Sequence, residues 1–321
     1  MASTCTILRI RRCYGILTAT RQPTTRTTVA RQRIFQATNF NENCTPHCTD
    51  IHYRSLTNNG HIGHCPHGAA LSGCVSITTG GDGSDGAEDE YQKHAFQVGE
   101  NPTVDITGFN GSIEIVIGDD GIVDVEAKLT IPNRVSYSAA LDRNTVTVIA
   151  KKTGSGITFG RSPRAEIKVI VPKHSTIKAR TSNGAVDVTG VNGPGDLETS
   201  NGRITVSGVE GRFEVDTSNG TITMSDVDGQ FRAHTTNGNI NFSGFLAGGS
   251  DNSFTTSNGS IEVTFKGEPD VEIDARTSNG TAKSDRPILA TTTERTRLVG
   301  KYGTGSATLE LRTSNGSIII R

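Results

Sequence analysis

The residues best able to do chemistry fall into two groups far apart in the chain. Near the start, Cys44, His47 and Cys48 are followed by His61, His64, Cys65 and His67. Thiolate and imidazole are ligands that suit Zn²⁺, but C-x₃-C with a later H-x₂-H-C matches no standard zinc spacing. Almost nothing apolar surrounds the tract, so it reads as an unstructured His/Cys-rich segment and no metal site is assigned. Farther on, Asp187, Glu198, Glu214, Asp216 and Asp226 could line one face with carboxylates, as in solenoid enzymes that act on polysaccharides. Catalysis needs convergent acid, base or nucleophile groups. His174 and His234 stand alone, and Ser182, Ser200 and Ser218 have no paired His. The glycine-rich stretch 154–160 lacks the Lys-Ser/Thr of a phosphate loop. The expectation is no enzyme, no catalytic residue and no cofactor.

A different chemistry is suggested by Leu71-Ser72-Gly73-Cys74. This resembles the lipobox of bacterial lipoproteins, where the chain is cut before a Cys that becomes lipid-modified; the resemblance implies lipidation at Cys74 and membrane attachment. The Gly/Ser/Asp-rich stretch that follows suits a tether, assigned to 74–95. The apolar run of a signal peptide does not precede the motif, so residues 1–73 read as a disordered or non-mature leader. They carry eight Arg, no Lys and two acidic residues, and all six cysteines lie at or before Cys74. Without aromatic interleaving or a recognisable module, this basic segment does not read as a nucleic-acid arm. The single Gly80–Asp85 stretch, superficially like a calcium-binding repeat, reads as linker, because such sites need tandem copies.

The elements that must position any site are set by a repeat. Thr181-Ser182-Asn183-Gly184 returns at Thr199, Thr217, Thr256, Thr277 and Thr313, with a Thr235-Thr236-Asn237-Gly238 variant. The steps are 18, 18, 18, 21, 21 and 36 residues, and the last leaves room for a degenerate unit. In each unit Asn-Gly is a turn signal, since both residues tolerate positive φ. Alternating residues such as Ile204 and Val206, then Phe213 and Val215, read as two short half-buried strands. No 18-residue unit can bury its apolar face alone, whereas stacked neighbours can. Identical polar residues would then form side-chain ladders. The ladder positions are Asn183, Gly184, Asn201, Gly202, Asn219, Gly220, Asn237, Gly238, Asn258, Gly259, Asn279, Gly280, Asn315 and Gly316. The alternative is an antiparallel β meander with Asn-Gly as hairpin turns.

The tract Ile167–Gly184, followed by repeated T-S-N-G-x-I-x-V-x-x-V-x-G, resembles a bacterial adhesin-like β-strand-repeat family, a domain of unknown function. The resemblance covers about Phe96 to Arg321 and implies a right-handed β-solenoid with no catalytic residue to carry over. The expected fold is therefore all-β: about a dozen short coils over 96–321, with clear tandem repeats in 181–321. The segment Lys283–Gly305 is the candidate for folding back over the end of the stack. The expected function is a non-catalytic, extracytoplasmic binding or structural module for an unknown surface polymer or protein ligand. A polysaccharide-active enzyme and a passive envelope spacer are the alternatives.

Overall fold

A computed structural model of the chain describes residues 89–154 and 162–321; the Cys/His tract, Cys74 and most of the tether lie outside the described residues. All described residues belong to the compact unit Gly68–Arg321. Short alternating runs form β1 (Glu90–Gln97), β2 (Thr103–Thr107), β3 (Ile113–Ile117), β4 (Ile122–Thr130), β5 (Val135–Asp142), β6 (Thr145–Lys152) and β7 (Arg164–Val171). The repeats give β8 (Thr176–Asn183), β9 (Val186–Thr189), β10 (Gly195–Asn201), β11 (Ile204–Ser207), β12 (Glu210–Asn219) and β13 (Ile222–Asn237). They continue as β14 (Ile240–Leu246), β15 (Asp251–Asn258), β16 (Ile261–Phe265), β17 (Val271–Asn279) and β18 (Ala282–Ser284). A hairpin of β19 (Leu289–Glu294) and β20 (Arg297–Tyr302) follows, then β21 (Ala307–Asn315) and β22 (Ile318–Ile320). β1 starts at Glu90, inside the stretch read as tether, because its inward residues Gln92 and His94 are polar and hide the period-two pattern.

Except for β6/β7, which has no Asn-Gly between its strands, each coil is one strand leading to Asn, a corner at Gly, and a second strand. Equivalent strands pair in parallel and in register, so Thr181, Thr199, Thr217, Thr235, Thr256, Thr313 and Thr277 form one column. The second strands align Ile113, Val186, Ile204, Ile222, Ile240, Ile261, Ile318 and Ala282 in another. This is the solenoid rather than the meander. Among the described residues nine coils stack, where about a dozen are expected, because the segments 122–142 and 289–302 go into antiparallel strands at the ends.

The geometry of one corner explains the four-letter motif. The Thr hydroxyl is buried and donates to the Gly carbonyl of the neighbouring coil, as in Thr199 to Gly184 at 3.0 Å and Thr235 to Gly220 at 3.0 Å. The Ser points to solvent. The Asn side-chain amide donates to the Asn carbonyl oxygen one coil away, Asn201 to Asn183 and Asn219 to Asn201, both at 2.9 Å. The ladder runs unbroken from Asn110 through Asn183, Asn201, Asn219, Asn237, Asn258 and Asn315 to Asn279. The Gly has no room for a side chain: a Cβ on Gly202 would lie 1.9 Å from the Gly184 carbonyl oxygen. Close approach between coils, not positive φ, thus requires glycine at most of these corners; Gly111 alone of the column sits well inside the positive-φ range, at φ 118.

Coils do not stack in chain order at either end. The β2/β3 coil lies between β6/β7 and β8/β9. The β21/β22 coil lies between β15/β16 and β17/β18, so the 36-residue step is a skip and not a degenerate repeat. At three inward positions the inner coil carries the larger residue, Leu311, Ile318 and Ile320 against Ala275, Ala282 and Ser284; Leu309 matches Ile273, and Ala307 is smaller than its outer partner Val271. Segment 289–302 does fold back, with β20 pairing antiparallel to β17 on the outermost coil.

The core is one cluster running through the stack. Its middle is aromatic: Phe213 stacks on Phe231 at 6.2 Å, Phe231 meets Phe242 at 5.7 Å, and Phe242 meets Phe254 at 5.2 Å. Gly195 makes space for this row, since a Cβ there would sit 2.2 Å from the Phe213 ring. Fully burying a Phe contributes about 1.5–3 kcal/mol relative to exposure.

Candidate binding surface

Strand alternation sends every second residue of the Asn-ending strands outward. In-register stacking then lines these residues up in two rows. One runs Lys178, Asp196, Glu214, Arg232, Ser253, Glu310 and Asp274; the other runs Arg180, Glu198, Asp216, His234, Thr255, Arg312 and Arg276. Successive members are about 4.8 Å apart, the strand spacing.

Ion pairs occupy both flanks of these rows. Arg180 bridges Asp196 and Glu198, the latter at 3.2 Å. Arg312 reaches Glu310 at 2.6 Å and Asp274 at 3.4 Å, and Arg276 reaches Asp274 at 2.6 Å. Between them, Glu214, Asp216, Arg232 and His234 make no ion pair among the described residues. The short Ser253 and Thr255 next to them lower the surface, leaving an open recess of about 410 Å³ edged by Asp251, Thr308 and Glu310. Partial burial pushes the Asp216 carboxyl above its ordinary value; His234 opposes the shift, and Glu214, Glu198 and Asp196 add to it.

The structure separates the carboxylates that the sequence groups together. Glu198, Glu214 and Asp216 share this face. Asp187 lies on the opposite wall, in register with Thr205 and Thr223. Asp226 occupies the second corner at φ 57 and pairs with Lys266. His174 is exposed in a loop. Sequence reasoning missed Arg232 and Ser253 as parts of the recess; the signal was available, since counting back from each Asn-Gly gives the rows. The opposite wall displays Thr189, Ser207, Ser225, Ser243 and Thr264 in one uncharged row beside Thr205, Thr223 and Asn241. Among the described residues no group of three or more His, Cys, Asp and Glu side chains is placed to hold a metal ion.

In-register parallel coils with polar ladders at one corner and charged rows outside define a β-solenoid repeat domain, the fold expected from the T-S-N-G units. Residues 173–321 match the Toastrack DUF4097 family. No curated protein matches the chain. Among solved structures, one described as a putative cell adhesion protein from Clostridium sporogenes is 11% identical, covers 72% of this chain and 98% of its own, and has a TM-score of 0.34. A putative adhesin from Bacteroides fragilis is 14% identical over 72% of this chain and 97% of its own, with a TM-score of 0.37. A putative lipid binding protein from Parabacteroides distasonis is 11% identical over 72% and 97%, with a TM-score of 0.34.

Proposed function

We propose that this protein is a non-catalytic, extracytoplasmic binding module, held at a membrane through a lipid on Cys74. In this reading the outer face of the Asn-ending strands docks an extended surface polymer or a protein segment. The observation that carries it is the recess floored by Ser253 and Thr255, with Glu214, Asp216, Arg232 and His234 around it making no ion pair among the described residues. Strands in a stack hold such groups at fixed spacing, which lowers the ordering cost of binding. Each contact is shallow, so affinity comes from several rows engaged together.

The test is binding of the full chain to a glycan array and to envelope extracts, beside Asp216→Asn and Arg232→Gln variants. Ligand capture that both variants weaken supports the reading; no capture at all favours a passive spacer. Mass measurement of the mature N-terminus tests the anchor, with a diacylglyceryl group on Cys74 as the expected result.

One observation favours a second reading. Asp216, with its raised pKa beside Glu214 and His234, is the kind of carboxyl that serves as a general acid. Turnover of an acidic polysaccharide, lost in Asp216→Asn, would replace the binding module by a polysaccharide-active enzyme.

A further inference from the structure

The end of the stack nearest β1 buries polar groups to which the walls offer no partner. Among the described residues β1 is the outermost strand of one wall and pairs with β4 alone, and β5 is outermost in the other and pairs with β6 alone. The two meet across the core through an aromatic stack. His94 of β1 lies 6.0 Å from Phe96 and 5.8 Å from Tyr137 of β5, between ring centroids, with interplanar angles of 14° and 26°. Both His94 ring nitrogens and the Tyr137 hydroxyl are shielded from solvent and make no hydrogen bond among the described residues.

Among the described residues the one charged group on this side is Glu90, and no acceptor reaches the imidazole. From β4 the residues facing this stack are Val123, Val125 and Ala127. From β5 they are Tyr137 and its apolar neighbours Val135, Ala139 and Leu141. On β1 itself Glu90 faces the same side, with its carboxylate engaged by the Gln92 amide. Lys93 and Glu126 point to the other face, where they pair at 2.6 Å. A neutral imidazole tolerates such a place; an imidazolium has two N–H donors and a charge, both of which need water or acceptors. Burial accordingly lowers the His94 pKa and raises that of Tyr137.

We propose that protonation of His94 detaches β1 from β4, so that the first strand of the stack is an acid-released cap. Opening one singly paired edge strand hydrates the ring at far lower cost than unfolding the stack. The sign follows from linkage. With a folded pKa below the ordinary 6.5, the closed form is undisturbed above that value. It loses ground as pH falls through 6.5 toward the depressed value, because the released strand binds the proton more tightly.

Hydrogen exchange of the full chain at pH 7.5 and 5.0, corrected for intrinsic rates, tests this. Amides of 90–97 are expected to lose protection at pH 5.0, by at most about 30-fold, the ceiling set by the distance from 6.5 to pH 5.0, while β12 amides keep theirs. His94→Phe, which preserves the stacked ring, is expected to hold β1 closed at both pH values. Unchanged wild-type protection of β1 at pH 5.0 overturns the proposal. So does an equal loss in His94→Phe, which would take the effect away from the imidazole. Titration of the His94 imidazole by NMR is a second readout: a midpoint at or above 6.5, with β1 resonances unmoved, also rules the cap out.

Discussion

The middle of the stack and its two ends solve the same packing problem by different means. From β8 to β16 each coil sits on the one before it in the chain, and identical residues meet identical residues. At the ends, coils are placed out of chain order and covered by antiparallel strands. Repetition sets register in the middle, since a slip by one residue would turn Thr and the apolar set outward. Repetition cannot choose the order of coils, because eight of the nine coils among the described residues carry the same Asn-Gly corner. Antiparallel strands at both ends shield edges that would otherwise template further pairing.

The sharpest way to break this comparison is to place one clash in both regions. Gly202→Ala puts a Cβ 1.9 Å from a carbonyl oxygen with coils packed on both sides, and Gly280→Ala puts one 2.0 Å from the Gly316 carbonyl oxygen on the outermost coil. The middle substitution is expected to cost about 4 kcal/mol and the outer one about 1–2 kcal/mol, by denaturant unfolding. Equal costs would mean that the outer coil is as constrained as the middle.

The ladder offers a gentler version. Asn219 both donates and accepts along the column, whereas Asn279 has a single ladder neighbour, Asn315. Asn219→Ala is expected to lose about 1 kcal/mol and Asn279→Ala about half of that, in the same unfolding measurement.

Acid should separate the regions as well. At the β17 end, burial pushes the Asp270 carboxyl up, but hydrogen bonds from Ser306, Thr304 and the Gly305 and Ser306 amides outweigh it and hold the pKa at about 2. A depressed carboxylate contributes stability above its ordinary value of 3.8 that is lost as pH falls through 3.8 toward 2. Exchange protection around 304–306 should drop over that window in the wild type and show no such step in Asp270→Asn.

The smallest effect belongs to the second corner. Asp226 holds φ 57 where neighbouring coils have Gly190 at φ 81 and Gly208 at φ 63. Asp226→Gly relieves that backbone and loses an exposed pair with Lys266, so the unfolding free energy is expected to move by no more than about 0.5 kcal/mol in either direction. A larger loss would give the Lys266 pair more weight than exposed pairs normally carry.

Much of this fold was legible in the spacing of Asn-Gly, since an 18-residue period with fixed apolar offsets leaves few ways to bury Ile204, Ile222 and Ile240 together. Three things were not. No local pattern encodes the coil order, in which Leu311 and not the earlier Ala275 lies beside Phe254. The reason for glycine lies in a neighbouring coil, so the motif alone suggested φ. The opening strand was hidden because Gln92 and His94 face inward where apolar residues are expected. For the candidate surface, sequence flagged Glu214 and Asp216 but grouped them with Asp187, whose wall is set only once the corner at Gly184 is known.

The skipped position of β21/β22 also bears on synthesis. As the polypeptide leaves the ribosome, 271–284 emerges ahead of 307–320, although the latter lies between it and β15/β16. Until those last strands arrive, an interior layer is missing while the layer outside it already exists. A nascent chain interrupted before Ala307 therefore lacks a middle slice of its wall, and its outer layer has nothing of the right bulk to rest on.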